Sequence, residues 1–268
     1  MNGVTRRRLS EAAALLPLQV MGPALSELVF GPPGERRQWL DWGLFHVEHT
    51  YLEALRSYVH ALRQRNAGLK AAAQGHIDNS ELEAWTQEVA RHGEEVSVRR
   101  EAYVAAVTPH VAEALAEIAP GMALDVHYRR GWSDDQPLLK VLGDSIPREV
   151  KSGSTQSGPH RAELELRVAG LAAGTSLSRG QGKALASALI LAQARLLQRD
   201  AARSSVFLID DIGAELDLPH SRRLFGLLAK LGAQILATSN SGPAALQGLP
   251  DIQLNVFHVE HGRVAPEP

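Results

Sequence analysis

Two short segments of this 268-residue chain contain residue types that suit phosphate chemistry. The first is a polar turn that opens a predicted helix and consists of Ser178, Arg179, Gly180 and Gln181. A hydroxyl and unpaired backbone N–H groups at a helix N-terminus can bind a phosphate, and the helix dipole favours the anion. The same turn could also be an ordinary helix cap, so its interpretation depends on the residues C-terminal to it.

The second segment is an apolar run, Val206 to Ile209, followed by two carboxylates, Asp210 and Asp211. Asp210, at the carboxyl end of a buried strand, suits a magnesium ion held through a water. Asp211, one residue further, suits a general base or a group that positions the attacking water. The alternative is that one Asp only caps the next turn. A phosphate-binding turn followed by a metal-binding strand end predicts nucleotide hydrolysis.

Alternating helices and strands must position these residues. The pattern predicts a helix over 183–197, a continuous apolar strand over 206–209, a helix over 221–230 and a strand over 233–237. A strand without polar alternation is typical of a sheet covered on both faces. This order predicts an α/β layer. Earlier, strands are expected over 123–129 and 163–168. Residues 131–157 are expected to form loop, with a short helix as the alternative within it, and a last hairpin is expected over 256–264.

A long helical region precedes the α/β layer. Its first half repeats apolar positions at alternating three- and four-residue steps: Leu52, Leu55, Val59, Leu62, Asn66 and Leu69. A capping box at Ser80 and Glu83 opens a second half with the same spacing, extending toward Ile118. Heptad spacing on both sides of a turn predicts an antiparallel helical hairpin. A two-helix piece of an ordinary bundle is the alternative.

Composition bounds the class of protein. The chain has no cysteine, 44% hydrophobic residues and a formal net charge of −2. It therefore has no disulfide framework, and it does not bind nucleic acid by bulk charge alone, although a local basic surface is compatible with this composition. No apolar run reaches the roughly 18 residues of a membrane span. We expect a cytoplasmic protein without a membrane partner.

Several further segments resemble one bacterial family, the RecF recombination mediators, whose heads are SMC-like ATP-binding cassette ATPases. The segments are Leu-Pro-Leu-Gln at 16–19, Arg-Arg-Gln-Trp-Leu-Asp-Trp-Gly-Leu-Phe-His-Val-Glu at 36–48, Leu-Arg-Gln-Arg-Asn-Ala at 62–67, Arg-Gly-Trp at 130–132 and Ser-Gly-Pro-His-Arg-Ala-Glu-Leu at 157–164. The resemblance implies an α/β ATPase head with an inserted helical-hairpin arm. It divides the chain into a head remnant (1–36), the arm (37–120) and the C-terminal part of the head (121–268).

The resemblance also implies roles for matched positions. Gln19 matches a glutamine that reaches the metal and the γ-phosphate, and residues 178–181 match the signature that contacts ATP on the opposite protomer of an ATP-dependent homodimer. Asp217 matches a dimer-facing loop. Thr238, Ser239 and Asn240, the last unusual at its place, match the switch segment near the γ-phosphate. Candidate DNA contacts are basic side chains on the arm and in nearby loops: Arg56, Arg63, Arg65, Lys70, Arg130 and Arg161. A solvated charged surface is the alternative for each.

The function of the family gives a set of expectations. The cofactors would be ATP and Mg²⁺, and the ATPase would be weak and DNA-dependent. The partners would be single-stranded DNA, junctions of single- and double-stranded DNA, and other recombination mediators. The process would be recombinase loading in gap repair, with replication and SOS induction downstream.

The phosphate-binding loop of this class is not found in the sequence. The family begins with a strand, a Gly-x-x-x-x-Gly-Lys-Ser/Thr loop and a helix, whereas here the only Gly-Lys pair is Gly182-Lys183, followed by Ala184. We expect an N-terminally truncated chain. The alternative is a non-catalytic interaction fragment, and an in-frame loop-coding segment upstream of Met1 would argue against it.

Overall fold

The structure is a computed structural model that describes residues 13–76, 79–212, 218–240 and 254–266. Its strands are β1 (Leu18–Met21), β2 (Leu124–Arg129), β3 (Glu163–Val168), β4 (Leu171–Ala172), β5 (Val206–Ile209), β6 (Gln234–Ala237), β7 (Phe257–Glu260) and β8 (Arg263–Pro266). Its α-helices are α1 (Glu27–Phe30), α2 (Pro33–Val47), α3 (Tyr51–Ala73), α4 (Asn79–Ile118), α5 (Leu138–Ser152), α6 (Ala173–Ser176), α7 (Arg179–Ala201) and α8 (Leu218–Lys230). Single 3-10 turns lie at Pro23–Ser26 and Pro159–Arg161.

The head is built on a parallel sheet in the order β1-β5-β6. Met21 pairs with Ile209, and Ile209 pairs in turn with Ala237, so the carboxyl ends of the three strands form one edge. Helix α7 packs behind the sheet and is buried on nearly every side between Ala184 and Ala194. A helix that is apolar all round belongs in the centre of a domain. The α/β layer and the strand at 206–209 are confirmed.

Two smaller β units lie outside the parallel sheet. Strands β2, β3 and β4 form an antiparallel sheet in that order, and β7 and β8 form a separate hairpin. The predicted strands at 123–129 and 163–168 and the final hairpin are therefore confirmed to within a residue or two. None of the helices in the described residues combines the length and apolar character needed to cross a membrane.

Helices α3 and α4 pack against each other as the predicted hairpin. The buried positions of α3 nevertheless lie beside the predicted seam, at Tyr51, Ala54, Tyr58, Ala61 and Arg65. The predicted residues from Leu52 to Asn66 are only half-buried, whereas Leu69 is fully buried as predicted. The register of the seam is therefore corrected over 52–66. Tyrosine and arginine can bury long apolar stems when their polar ends find partners. A search for aliphatic residues alone misses such positions.

The expectation of loop with at most a short helix over 131–157 is wrong in the extent of the helix. Helix α5 occupies 15 residues of that range, although Gly143 and Pro147 lie inside it. Its buried face is Leu138, Leu142, Ser145 and Glu149, which packs against both helices of the hairpin. The arm is thus a three-helix unit. Helix α2 runs through the proposed boundary at 36/37, and the division into domains stays a prediction.

Candidate functional site

Two carboxylates lie at the carboxyl edge of the parallel sheet. Strand β5 ends at Ile209, and the N–H of Asp210 donates to the carbonyl of Met21 at 2.9 Å, which extends the ladder by one residue. Gly22 follows β1 on the neighbouring strand, where an added Cβ would lie 3.4 Å from the Cβ of Asp210. Asp210 is exposed and Asp211 is half-buried. This is the edge at which open α/β sheets bind ligands.

Strand β6 leads into the groups that hold the pair. The hydroxyl of Thr238 donates to Asp210 Oδ1 at 2.8 Å and accepts from the N–H of Asp211 at 2.9 Å. The amide of Asn240 donates to Asp211 Oδ2 at 3.1 Å. Asp211 itself has a φ of 53°, in the left-handed region that few non-glycine residues adopt. The predicted carboxylate pair and Asn240 are therefore brought together. Thr238 belongs to the predicted switch segment, and the structure adds the specific bonds that its hydroxyl makes with both carboxylate residues.

The chemistry of this donor set suits a hard divalent cation. Carboxylate oxygens are the ligands that Mg²⁺ prefers, and it commonly uses one or two of them together with waters and substrate phosphates. No group of three or more His, Cys, Asp or Glu side chains in the described ranges could hold a metal by itself. A metal at Asp210 would therefore need oxygen ligands from a bound phosphate.

Gln19 does not reach this edge. Its side chain is 6% exposed, faces α7, and donates from Nε2 to Oε1 of Gln193 over a long 3.4 Å. Gln19 pairs in register with Phe207, three residues before Asp210, which is about 10 Å along a strand. The assignment of Gln19 to metal and nucleotide is corrected, because its amide belongs to the core. Gln193 in turn donates to the carbonyl of Trp39 at 2.7 Å.

The polar turn at 178–181 opens helix α7 as predicted. Ser178 is the N-cap: its hydroxyl accepts from the N–H of Gln181 at 3.3 Å, and Gln181 Oε1 accepts from the N–H of Ser178 at 2.9 Å. This capping box fixes the turn, and all four residues of the turn are exposed. Capping uses the side chains of Ser178 and Gln181, while the first-turn N–H groups at Arg179 and Gly180 face solvent without an intrahelical partner.

Gly182, which departs from the family pattern, has a packing reason. It is buried, and an added Cβ would meet the ring of Phe30 within 2.3 Å. The start of α7 can therefore approach α1 only with glycine at this position. Asp217, predicted to lie in a dimer-facing loop, is outside the described residues.

Arg65 is not a DNA contact in this fold, which corrects its assignment. Its side chain is fully buried, and its NH1 lies 2.7 Å from Glu149 Oε2, a charge contact without hydrogen-bond alignment. The remaining donors bond to Thr86, Thr155 and the carbonyl of Leu142 at 2.8–3.1 Å. A fully buried guanidinium that is bonded through all three of its nitrogens fastens α3, α4 and α5 together and has no surface to offer a phosphate.

The other basic candidates remain accessible. Arg56, Arg63 and Lys70 are exposed and lie at seven-residue intervals, about 10 Å apart, along one face of α3. Within the described part of the chain, no carboxylate pairs with Arg63 or Lys70. Arg161 is exposed and donates to Gln156, whereas Arg130 is half-buried, pairs with Asp134 at 3.1 Å and lies over the ring of Trp132.

Two of the segments that carry the family resemblance are structural partners. Arg100 of α4 donates to both carboxylate oxygens of Asp41, at 2.7 and 3.0 Å, and to the carbonyl of Pro159 at 2.8 Å. Burial alone would lower the pKa of Arg100, but Asp41 raises it, so the guanidinium stays charged. Arg36 forms a two-bond ion pair with Glu163. These contacts tie the Gly-Pro-His-Arg turn to α2 and the arm.

Together, the parallel sheet, the carboxylate edge and the exposed turn at 178–181 define the fold of an ATP-binding cassette head. No family model matches the chain. Curated proteins match closely. The chain is 39% identical over 265 residues to the DNA replication and repair protein RecF of Pseudomonas aeruginosa (strain UCBPP-PA14), covering 98% of this chain and 71% of the relative. It is 41% identical over 268 residues to RecF of Chromohalobacter salexigens, covering 99% and 72%.

The chain therefore belongs to the RecF family of DNA replication and repair proteins, and it spans about 71% of the relatives' length. Solved structures agree on the fold. The structure of the recombination mediator protein RecF–ATP in the RecFOR pathway superposes with a TM-score of 0.85 at 23% identity, covering the whole chain and 72% of that protein. At this identity the likeness shows fold alone.

Proposed function

We propose that this chain forms the signature- and carboxylate-bearing part of a DNA-dependent ATPase that acts in DNA repair. The observation that supports this most directly is the pair Asp210 and Asp211, held at the carboxyl edge of a parallel sheet by a neighbouring strand. Asp210 would bind Mg²⁺ together with the phosphates of ATP, and Asp211 would orient or deprotonate the attacking water. A solved relative of the same fold is described as RecF–ATP, which favours ATP as the nucleotide.

The exposed turn at Ser178 would act on a second protomer. A capped helix start with outward N–H groups suits the phosphates of ATP held by another copy, so ATP would drive homodimerisation. Asp217 would belong to the loop that faces the second protomer, and Asn240 would belong to the switch segment near the γ-phosphate. This geometry also accounts for a turn that is ordered by its own capping box yet lies exposed on the surface of its own chain.

A dimerisation experiment tests the signature role. The protein used is the complemented protein, in which the phosphate-loop segment of the family precedes the chain. We expect Ser178→Arg to abolish ATP-driven dimerisation in light scattering, because a bulky side chain blocks approach of the phosphate. Ser178→Thr keeps the cap and serves as the control. An unchanged ATP-driven dimer in Ser178→Arg would refute the role of the turn.

DNA is the second ligand of the proposal. Arg56, Arg63 and Lys70 form a basic stripe on α3, and Arg130 and Arg161 lie on the turns beside β2 and β3. Such groups bind phosphates without reading sequence. We propose that they hold single-stranded DNA and junctions of single- and double-stranded DNA. The biological role would be loading of recombinase during gap repair with other recombination mediators, leading to SOS induction.

Salt-dependent DNA binding tests the stripe. In the complemented protein with ATP, Arg63→Ala with Lys70→Ala should weaken binding uniformly across sequences and reduce the salt slope by about two phosphate contacts. Lys140→Ala removes an exposed cation that is already paired with Asp144 and provides the control. Equal losses in both variants would assign the effect to net charge and remove the stripe from the proposal.

A further inference from the structure

We propose that Thr238 is the positioning residue of the carboxylate pair: its hydroxyl orients Asp210 and holds the backbone turn at Asp211. The inference rests on the proposed ATPase function, within which it assigns a role to a side chain at the end of β6. Three observations carry it: the hydrogen bonds at this edge, the backbone conformation of Asp211 and the exposure of the site.

The Thr238 hydroxyl makes two hydrogen bonds, and its role as acceptor in one and donor in the other is fixed by its partners. It accepts from the N–H of Asp211 at 2.9 Å, so its own proton is left to donate to Asp210 Oδ1 at 2.8 Å. A hydroxyl has one proton to donate, and the backbone N–H cannot accept one. The bond therefore fixes the rotation of the Asp210 carboxylate. Oδ1 is engaged, and Oδ2 is the oxygen left for a cation.

The Asp211 backbone shows why such a contact is needed. A left-handed φ of 53° is unfavourable for a residue with a Cβ, and such conformations persist only when the surroundings hold them. Thr238 supplies the holding contacts to the backbone here. Besides the hydroxyl bond, the N–H of Thr238 donates to the carbonyl of Ile209 at 2.9 Å, and its carbonyl accepts from Ile212 at 3.0 Å. Thr238 thus spans the turn from the last residue of β5 to the residue after Asp211.

Loss of the Thr238 hydroxyl should lower the rate of hydrolysis more than the stability of the fold. The site is on the surface, where loss of one hydroxyl leaves no buried group unpaired, so the stability cost is small. The positions of both carboxylates would change, however, and misplacement by about 1 Å can cost roughly 100-fold in rate. Asn240 bonds to Asp211 from the same segment, but its bond goes to Asp211 Oδ2 and leaves Asp210 unoriented, so it cannot replace the hydroxyl.

The first test uses the 268-residue chain itself. Thr238→Val removes the hydroxyl at nearly constant volume, Thr238→Ser restores it, and Thr108→Val removes a hydroxyl that bonds within α4 and serves as the control. Amide exchange at Asp211 and the side-chain carboxyl chemical shift of Asp210 are followed by NMR. We expect about tenfold faster exchange and a shifted carboxyl resonance in Thr238→Val, with both restored in Thr238→Ser. An unchanged exchange rate and carboxyl resonance in Thr238→Val would overturn the inference.

The second test measures turnover in the complemented protein. Thr238→Val should lower kcat roughly 10- to 100-fold with KM for ATP nearly constant, while Thr238→Ser should stay close to the starting protein. A kcat in Thr238→Val equal to that of Thr108→Val, or no rescue by serine, would contradict the positioning role. If the complemented protein hydrolyses no ATP, the proposed function fails, and the NMR measurements still decide whether Thr238 sets the geometry.

Discussion

The arm and the sheet edge both contain charged residues, but the two regions use them in opposite ways. In the arm, Arg65 and Glu149 are fully buried, and their remaining polar atoms bond mainly to neighbouring backbone and hydroxyl groups. At the sheet edge, Asp210 is exposed, and Asp211 is held in a left-handed conformation. A buried charge that is paired with an opposite charge holds a structure together, whereas an exposed, oriented charge is available to a ligand.

Burial therefore distinguishes charged residues that stabilise the fold from charged residues that are available to a ligand, even where their sequence context is alike. Arg63 and Arg65 are two residues apart on α3, yet one lies in solvent and the other in the centre of a three-helix unit. The residue type gives no hint of this, because both are arginines in a basic helix. Partner geometry decides it, and substitutions in the two regions can show whether the distinction is real.

The largest expected effect is on ATP affinity, which depends on whether the phosphate loop lies beside the sheet edge. The 268-residue chain should bind ATP at least about a thousandfold more weakly than the complemented protein. The phosphate loop contributes several charge-assisted bonds of roughly 1.5–3 kcal/mol each, and about 1.4 kcal/mol is a factor of ten. Calorimetric titration with ATP and Mg²⁺ measures this. A micromolar dissociation constant for the chain alone would mean that the described edge already holds a full phosphate site.

The next effect tests the arm. Arg65→Ala should destabilise the protein by about 3–5 kcal/mol, because it leaves Glu149 buried without its cation. Arg63→Ala, on the exposed face of the same helix, should change stability by no more than about 0.5 kcal/mol. Urea unfolding followed by circular dichroism compares the two variants. Similar midpoints would show that the buried pair is not a structural element and would break the contrast between the regions.

The hydrolytic role of the edge is expected to produce a smaller change in free energy. In the complemented protein, Asp211→Asn should slow hydrolysis roughly 100-fold or more and leave ATP binding intact, because an amide cannot act as a base. Single-turnover rates and nucleotide titration separate the two quantities. Glu165→Gln, on the antiparallel sheet, is the control for loss of one negative charge. Turnover within about twofold of the starting protein would assign Asp211 to structure.

Much of the fold could be predicted because local patterns coincide with tertiary roles. The strand Val206 to Ile209 is a short apolar run that the structure places inside the sheet. The second hairpin helix begins at Asn79, one residue before the predicted capping box at Ser80. Helix α5 could not be predicted because Gly143 and Pro147 are poor helix residues, and their cost is offset only by packing against the arm. That packing depends on residues far away in sequence and leaves no local signal.

The residues of the candidate site also fall into those that the local sequence predicts and those that depend on distant contacts. Asp210, Asp211 and the turn at Ser178 can be read from sequence order, because each directly begins or ends an element. The burial of Gln19 cannot, since it depends on which face of β1 meets α7. The bonds from Thr238 depend on the pairing of β5 with β6, which brings together residues 27 or 28 apart. Hydrogen bonds between strands therefore position site residues in a way that the order of residues along the chain does not predict.

The smallest expected effect belongs to a buried group without a counter-charge. His46 of α2 is buried beside Trp42, and within the described residues its Nδ1 has no hydrogen-bond partner. Burial, with a smaller contribution from Arg203, lowers its pKa from 6.5 to about 4. The folded state therefore takes up a proton at lower pH than the unfolded state. Stability from this residue is complete above pH 6.5 and is lost as the pH falls toward 4.

We expect a loss of about 1–2 kcal/mol from this residue by about pH 5, since one pKa unit corresponds to about 1.4 kcal/mol. His46→Phe should remove that part of the pH dependence, whereas His49→Phe, at an exposed position just beyond the end of α2, should retain it. Urea midpoints near neutral pH and near pH ~5 measure the difference. If His46→Phe loses as much stability on acidification as the starting protein, the buried imidazole is not the group that titrates. The burial of His46 without a hydrogen-bond partner at Nδ1 would then not account for the loss of stability at low pH.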